Sequence, residues 1–407
     1  MPDFRGDASQ GGDKEMTKDR NSSQAKQSFL RRVFQGTSLK PAWIGDLQRM
    51  CLKSGVNIGA PGSPSVERPW ARLTEEEVAH GLGHSRQRQR SVAISVALLS
   101  TALAACTQAP DMSAIQSENG KAIKRYDINQ TVVSNGKVVA VGTQSGAVLV
   151  SKDHGKNWIR TQLGQVSLVD MTVCPDGSLL AIDHYHKVWT SNAEGSQWTS
   201  AALDKPRTPL AVTCDPQGRW WVVGTAATIA GSSDRGASWQ LTELGKDVQL
   251  TTIQFVDESH ALATGEFGMV VGSNDAGVTW KLVGTMPNEF YPYATLFTNL
   301  NEGWSSGIAG QILHTTDGGR TWTKQNNTTQ APLYRLFAHE GHTYGVGAGG
   351  VVATYDGGVW RQLPYPDPVP VFLGAGASLP GQAALIAGGP GGLLRVVSTQ
   401  TTQSGRP

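Results

Sequence analysis

The 407-residue chain is poor in charge: Asp, Glu, Lys and Arg make up 17% of it, against 39% hydrophobic residues. That balance excludes an intrinsically disordered protein and supplies apolar material for a large core. An excess of one sign is also missing, since 35 Lys+Arg face 33 Asp+Glu for a net +2. Near-neutrality argues against a dedicated nucleic-acid binder. A bilayer-spanning run is missing too. The uncharged, mostly apolar stretch Val92–Ala105 has 14 residues, fewer than the roughly 20 that a transmembrane helix needs. Glycine and tryptophan, by contrast, are plentiful at 48 and 12. Together with low charge they point to many short strands and tight turns rather than a helical bundle.

The charge is divided along the chain. Residues 1–106 carry 15 Lys+Arg and 10 Asp+Glu, a net +5, while residues 107–407 carry 20 and 23, a net −3. The break falls at an export signal. Arg86, Arg88 and Arg90 precede the apolar stretch, which ends in Leu103-Ala104-Ala105-Cys106. A basic n-region, a short h-region and small residues at the cut make residues 81–105 a secretory signal peptide. The Leu-Ala-Ala-Cys end resembles the bacterial lipobox, which implies cleavage before Cys106 and lipidation of that residue. Thr107 follows, where an Asp would resemble an inner-membrane retention signal, so anchoring on the periplasmic side of the outer membrane is preferred. Residues 1–80 read as unfolded coil or as an extension upstream of the true start. Residues 107–120 read as a small, polar tether behind Cys106, and residues 400–407 as a tail.

The remainder, residues 121–399, repeats. SKDHGKNW (Ser151–Trp158), SNAEGSQW (Ser191–Trp198), SSDRGASW (Ser232–Trp239), SNDAGVTW (Ser273–Trp280), TTDGGRTW (Thr315–Trp322) and the shorter TYDGGVW (Thr354–Trp360) are spaced 40, 41, 41, 42 and 38 residues apart at their tryptophans. A fixed period near 41 is the signature of a repeat architecture. The segment resembles the Asp-box, or BNR repeat, of β-propellers. Asp153, Asp234, Asp275, Asp317 and Asp356 are expected to accept backbone N–H bonds at tight turns. The box glycines are expected to supply positive φ, and Trp158, Trp198, Trp239, Trp280, Trp322 and Trp360 to bury rings between elements. These aspartates are therefore read as structural and not catalytic. The expected fold is all-β: a seven-bladed propeller of four-stranded antiparallel blades, with six blades as the alternative. WD40 repeats have a similar period, but their Gly-His and Trp-Asp signatures are missing. Residues 384–395 repeat the two middle strands with no box after them, so the missing outer strand is assigned to Lys121–Asn129, pairing the two chain ends.

The turns opposite the boxes vary most, and variable loops on a fixed scaffold are where specificity resides. In the second repeat His186 stands where other repeats have glycine, beside Asp183, His184 and Tyr185. Two histidines and a carboxylate are the beginning of a metal site, but no further histidine falls on this turn set. The segment reads as a partner-binding patch or a solvated loop, and no metal or cofactor is assigned. Met286–Tyr293 (MPNEFYPY), which holds Phe290, Tyr291 and Tyr293, and Pro364–Phe372 (PYPDPVPVF) are either peptide-contact loops or loops packed on their own blade rim. Glu266 and Phe267 share that turn set. Arg335 lies on an expected inner strand, as a basic contact for a partner carboxylate or a locally paired arginine. Cys174 and Cys214, 40 residues apart at matching places, are a possible disulfide in an exported protein, although matching positions on neighbouring blades often exceed the ~7 Å Cα limit.

Lys121–Ser398 resembles the photosystem II stability/assembly factor family, most clearly at Gly307–Trp322, where a G-x-x-G turn precedes T-x-D-G-G-x-T-W. The resemblance implies a lipid-anchored, non-enzymatic propeller that holds a membrane-protein intermediate or an envelope complex. Two other readings stand beside it. One is an Asp-box glycoside hydrolase of sialidase type, although the Arg-Ile-Pro signature is missing and arginine is sparse. The other is an accessory subunit of an envelope export complex. Oligomeric state is not read from the sequence.

Overall fold

In the computed structural model the described residues are 111–400; the signal peptide, Cys106, residues 1–80 and residues 401–407 lie outside them. Among these residues twenty-eight strands, β1–β28 in chain order, form seven separate sheets, antiparallel except where the two-residue β21 (Asn326–Asn327) adds in parallel to the outer edge of the sixth. The inner strands are β1 (Asn129–Ser134), β5 (Leu168–Val173), β9 (Pro209–Cys214), β13 (Leu250–Phe255), β17 (Pro292–Phe297), β22 (Leu333–His339) and β26 (Ala375–Ser378). Each packs on the next, and β26 packs on β1, which closes a ring of seven blades.

Hydrophobic burial explains why the blades stack. The second strand of the first blade, β2 (Val139–Thr143), is buried throughout, as are its counterparts Leu179–Asp183, Trp220–Gly224, Ala261–Gly265 and Gly303–Gly307. A strand buried on both faces needs a partner sheet on each side. The apolar residues accordingly form seven clusters, one at each blade junction, such as Val133, Ala140 and Val148 of the first blade against Leu168, Met171 and Leu179 of the second.

The boxes occupy the turns between third and fourth strands, as expected. In the first blade these strands are β3 (Ala147–Ser151) and β4 (Ile159–Gln162). Ser151 Oγ donates to Asp153 at 2.8 Å and accepts the Gly155 N–H at 2.8 Å, while Asp153 accepts the Asn157 N–H at 2.8 Å and Trp158 Nε1 donates to the Gly155 carbonyl at 3.1 Å. Asp234, Asp275 and Asp317 repeat the carboxylate bonds of this web, although the Trp239 indole donates to the Ala202 carbonyl rather than to its own box glycine. Gly277 shows why the fifth residue of the box is glycine: its φ is +84° and an added Cβ would lie 2.3 Å from the Trp221 ring. Trp280, Trp322 and Trp360 are buried, whereas Trp158, Trp198 and Trp239 are half-buried. In the second repeat, which has no box aspartate, Asn192 accepts the N–H groups of Ser196 and Gln197 instead.

Three expectations are corrected. Asp356 does not brace its turn. The shorter sixth segment is a two-residue Gly357-Gly358 hairpin between β24 (Val352–Asp356) and β25 (Val359–Gln362), so no loop remains for the carboxylate to hold. Lys121–Asn129 does not supply a fourth strand to the last blade, which holds only β26, β27 (Ala384–Gly388) and β28 (Leu394–Ser398) among the described residues. The segment instead bonds to the turn of that blade: Ile128 bridges Pro390, the Asn129 N–H donates to the Gly389 carbonyl, and the Gly392 N–H donates to the Asp127 carbonyl. Asp127, fully buried, is clamped by Arg160 at 2.6 Å, which fixes the segment to the first blade before it can run along an outer edge. Finally, Ser113–Gly120 of the expected tether is an eight-residue helix, α1, whose first turn is capped by Asp111 accepting the Ser113 N–H at 2.9 Å.

Cys174 and Cys214 are disulfide-bonded with Cα atoms 5.1 Å apart. The two approach because Cys174 directly follows β5 and Cys214 ends β9, inner strands that pack on each other near the axis. Across that axis Arg335 on β22 donates to Asp170 on β5 at 3.0 Å, and the other Asp170 oxygen accepts the Val212 N–H of β9. One ion pair thus spans the channel from the sixth blade to the second and third.

Two predictions follow from these bonds. Hydroxyl and N–H donors of Ser238, Thr279 and Thr321 hold the carboxyls of Asp234, Asp275 and Asp317 down at about 2. Because folding lowers these values, their stabilisation is complete above the unfolded-state value near 4 and is lost as pH falls towards about 2. Asp275→Ala will lower Tm at pH 7, and its difference from wild type will shrink between pH 4 and pH 2 in thermal melts. Arg335→Ala leaves the Asp170 carboxylate, 8% exposed, without its cation. It will cost about 1–2 kcal/mol in denaturant unfolding, the lower part of the range because the guanidinium is partly solvated.

Candidate partner-binding face

The face opposite the boxes is built by a repeated irregularity. In six inner strands the register slips by one residue just after the strand starts, between Asn129/Thr131, Leu168/Asp170, Leu250/Thr252, Pro292/Ala294 and Leu333/Arg335 and, in the third blade, opposite Val223/Gly224. Each slip is a β-bulge that leaves one residue unpaired and re-aims its side chain. The bulged residues are Gln130, Val169, Leu210, Thr251, Tyr293 and Tyr334. With Gly374 of the seventh blade they line the mouth of a central cavity of about 350 Å³. The ring is lopsided. Polar and aliphatic groups without rings line blades one to four, and tyrosines line blades five and six.

The tyrosines are part of a longer aromatic row. Tyr291 and Tyr293 lie 5.9 Å apart between ring centres, Tyr293 and Tyr334 5.4 Å, and Tyr334 and Phe372 6.4 Å. Burial, then the neighbouring Glu266 carboxylate, pushes the Tyr291 phenol up; burial, then Tyr334, does the same for Tyr293. Both phenols therefore stay protonated and can donate hydrogen bonds. Beside the row, Phe267 is 52% and Ile308 54% exposed on the turns between second and third strands of the fourth and fifth blades. Phe267 is held at φ +56°, in the place of Ala226, Ala309 and Gly349 on other blades. The left-handed region costs a bulky residue roughly 1–2 kcal/mol. An aromatic ring that is both strained and half in water is the kind of outlier that marks a contact site.

The two connectors divide between the readings open for them. In Met286–Tyr293, Met286 and Phe290 are buried between the fourth and fifth blades. Phe290, expected on the binding face, is therefore core; the connector has to anchor itself before it can present Tyr293. In Pro364–Phe372, Tyr365 donates to the Gly350 carbonyl and pins the loop, while Phe372 remains 42% exposed.

The second-blade turn resolves differently. His186 does take the turn-glycine place, with φ +62°, and its Nε2 lies 2.6 Å from the Arg207 carbonyl. Asp183 is fully buried and accepts the N–H groups of Tyr185 and Lys187 and the Trp189 indole N–H at 2.8 Å. Its oxygens are consumed by the turn, so the arrangement of two histidines and a free carboxylate does not exist here. His184 and Tyr185 are exposed beside it. Among the described residues no group of three or more His, Cys, Asp or Glu is placed to hold a metal ion. Glu266 accepts the Gln249 N–H at 2.8 Å. Arg335 is on the channel wall as expected and is paired with Asp170 rather than free. Tyr334 was missed by sequence reading. Its signal was the 41-residue offset from Tyr293, which becomes legible only once the bulge is known.

Residues 235–335 match the family model described as Photosynthesis system II assembly factor YCF48. No curated protein matches the chain in sequence. Among solved structures, virginiamycin B lyase from Staphylococcus aureus, a catalytically inactive variant with quinupristin, is 14% identical at TM-score 0.59, covering 67% of this chain and 96% of its own. YCF48 from Cyanidioschyzon merolae is 15% identical at TM-score 0.56, covering 68% and 97%. A YCF48 bound to D1 peptide is 14% identical at TM-score 0.55, covering 67% and 93%. At these identities the structural likeness establishes the fold. Across residues 235–335, then, this seven-bladed propeller carries the repeat of the photosystem II assembly factor YCF48 family.

Proposed function

We propose that the protein is a non-enzymatic assembly or stability factor that holds a membrane-protein client against the aromatic side of its channel mouth. The observation that carries this reading is a coincidence of position. The segment matching the assembly-factor family, residues 235–335, is the segment that supplies Phe267, Tyr293, Ile308 and Tyr334. A YCF48 of the same fold has been captured with D1 peptide, and exposed aromatics with protonated phenols suit a peptide partner. The protein is anchored, on this reading, by lipid on Cys106 on the periplasmic side of a bacterial membrane, the outer one preferred. A basic, apolar, small-residue signal ahead of Cys106 supports that placement, as does the Cys174–Cys214 bond, which suits an oxidising compartment. An accessory subunit of an export complex would use the same face and differ only in its client.

The hydrolase reading is less well supported. A tyrosine nucleophile needs its proton drawn off by a neighbouring base, whereas the Tyr291 phenol is pushed up and the Glu266 carboxylate is engaged by the Gln249 N–H.

The test is purification of the tagged protein from solubilised membranes beside Cys106→Ala and Phe267→Ala/Tyr293→Ala variants. A specific membrane protein will co-purify with wild type. Its recovery will fall about fivefold or more in the aromatic variant, the loss expected of contact residues worth at least about 1 kcal/mol. Absence of a client, together with cleavage of a sialoside by the same preparation, would overturn the proposal.

A further inference from the structure

Among the described residues the seventh blade is one strand short. Six sheets have four or five strands, and the last ends at β28 with no neighbour among the described residues. Its hydrogen bonds show which groups are left over. The Gly389 N–H donates to the Leu393 carbonyl and the Thr399 N–H to the Ala383 carbonyl, on either side of the β27–β28 register. Alternation then turns the backbone groups of Arg395 and Val397 towards β27, and the N–H and C=O groups of Leu394, Val396 and Ser398 outward, where the Leu394 carbonyl accepts a long bond of 3.4 Å from the Arg395 guanidinium. An open row of this kind is a template for another strand.

The side chains flanking the row define the strand that fits. Val396 is 49% exposed and faces the first-blade box, where a Cβ on Gly155 would lie 3.3 Å from its methyl. That wall carries exposed Lys152 and Lys156, and its one acid, Asp153, is engaged by Ser151 and Asn157. The other wall carries Arg395, beside Tyr365. Among the described residues none of Lys152, Lys156 and Arg395 has an ion-pair partner.

We infer that the open edge of the seventh blade is a strand-addition site for an extended acidic segment of another protein, which pairs with Leu394, Val396 and Ser398 and sets carboxylates against Lys152, Lys156 and Arg395. Backbone bonds supply the affinity and the alternate side chains the specificity. The site lies away from the aromatic channel mouth and stands whether or not the assembly-factor reading holds.

The probe is a synthetic peptide copying a fourth strand of this chain, Thr279–Thr285 (TWKLVGT), with Lys281→Glu. Its binding to the full chain is followed by fluorescence anisotropy, beside the unsubstituted and a scrambled peptide. The glutamate peptide will bind more tightly than the lysine peptide, and the preference will fade at high salt. Val396→Pro removes an N–H that β27 does not use, so Tm will hold while affinity drops about tenfold or more. Should Val396→Pro destabilise the blade, Val396→Lys serves as the second variant, expected to weaken binding likewise without altering any backbone donor. No binding, equal binding by both variants, or tighter binding of the lysine peptide would overturn the inference. So would a dimer of the chain that Val396→Lys dissolves, which would make a second copy the occupant.

Discussion

Every blade of this protein buries its apolar residues against its two neighbours and nowhere else. A middle strand such as Leu179–Asp183, buried on both faces, has no stable existence in an isolated sheet. The ring has to close for any part of it to be stable, and the junction between last and first blades, where Ile386 and Leu379 meet Val132 and Val139, is no weaker in kind than the other six. The rest of the molecule is arranged around that demand. The boxes hold the outer hairpins, the disulfide ties two inner strands, and the Arg335–Asp170 pair reaches across the axis.

Closure also governs where function can sit. The inner strands converge on the channel, and in six blades a bulge carries one residue out to its mouth. Repetition therefore creates a ring of equivalent positions, and divergence within the ring creates a site. Gln130, Val169, Leu210 and Thr251 keep one side free of rings, while Tyr293 and Tyr334 make the other aromatic. Phe267 extends that side at a place where its neighbours keep alanine or glycine, so the strain it bears is local and is absorbed by a scaffold that does not otherwise depend on it.

The closing blade shows the same logic in reverse. The N-terminal segment reaches the seventh blade but is held at the turn by Asp127 and Asn129, and so secures the ring without completing the sheet. Structural closure and strand pairing, joined in the sequence-based expectation, are separate events in the folded chain. The ion pair between buried Asp127, ahead of the first inner strand, and Arg160, on the fourth strand of the first blade, decides between them.

The sequence by itself determined the architecture, because its determinants are local and periodic. Six tryptophans at a 41-residue spacing, box glycines at positive φ and alternating apolar runs each act within a few residues, and repetition made them readable. It also placed His186 at a left-handed turn position and Arg335 on an inner strand. Tertiary structure alone decided the rest, because those outcomes depend on residues far apart in the chain. Asp183 was spent on its own turn and on Trp189, Phe290 was drawn into the core beside Met286, and Cys174 reached Cys214 because inner strands converge. Tyr334 joined Tyr293 only when a ring of bulges turned both towards one axis.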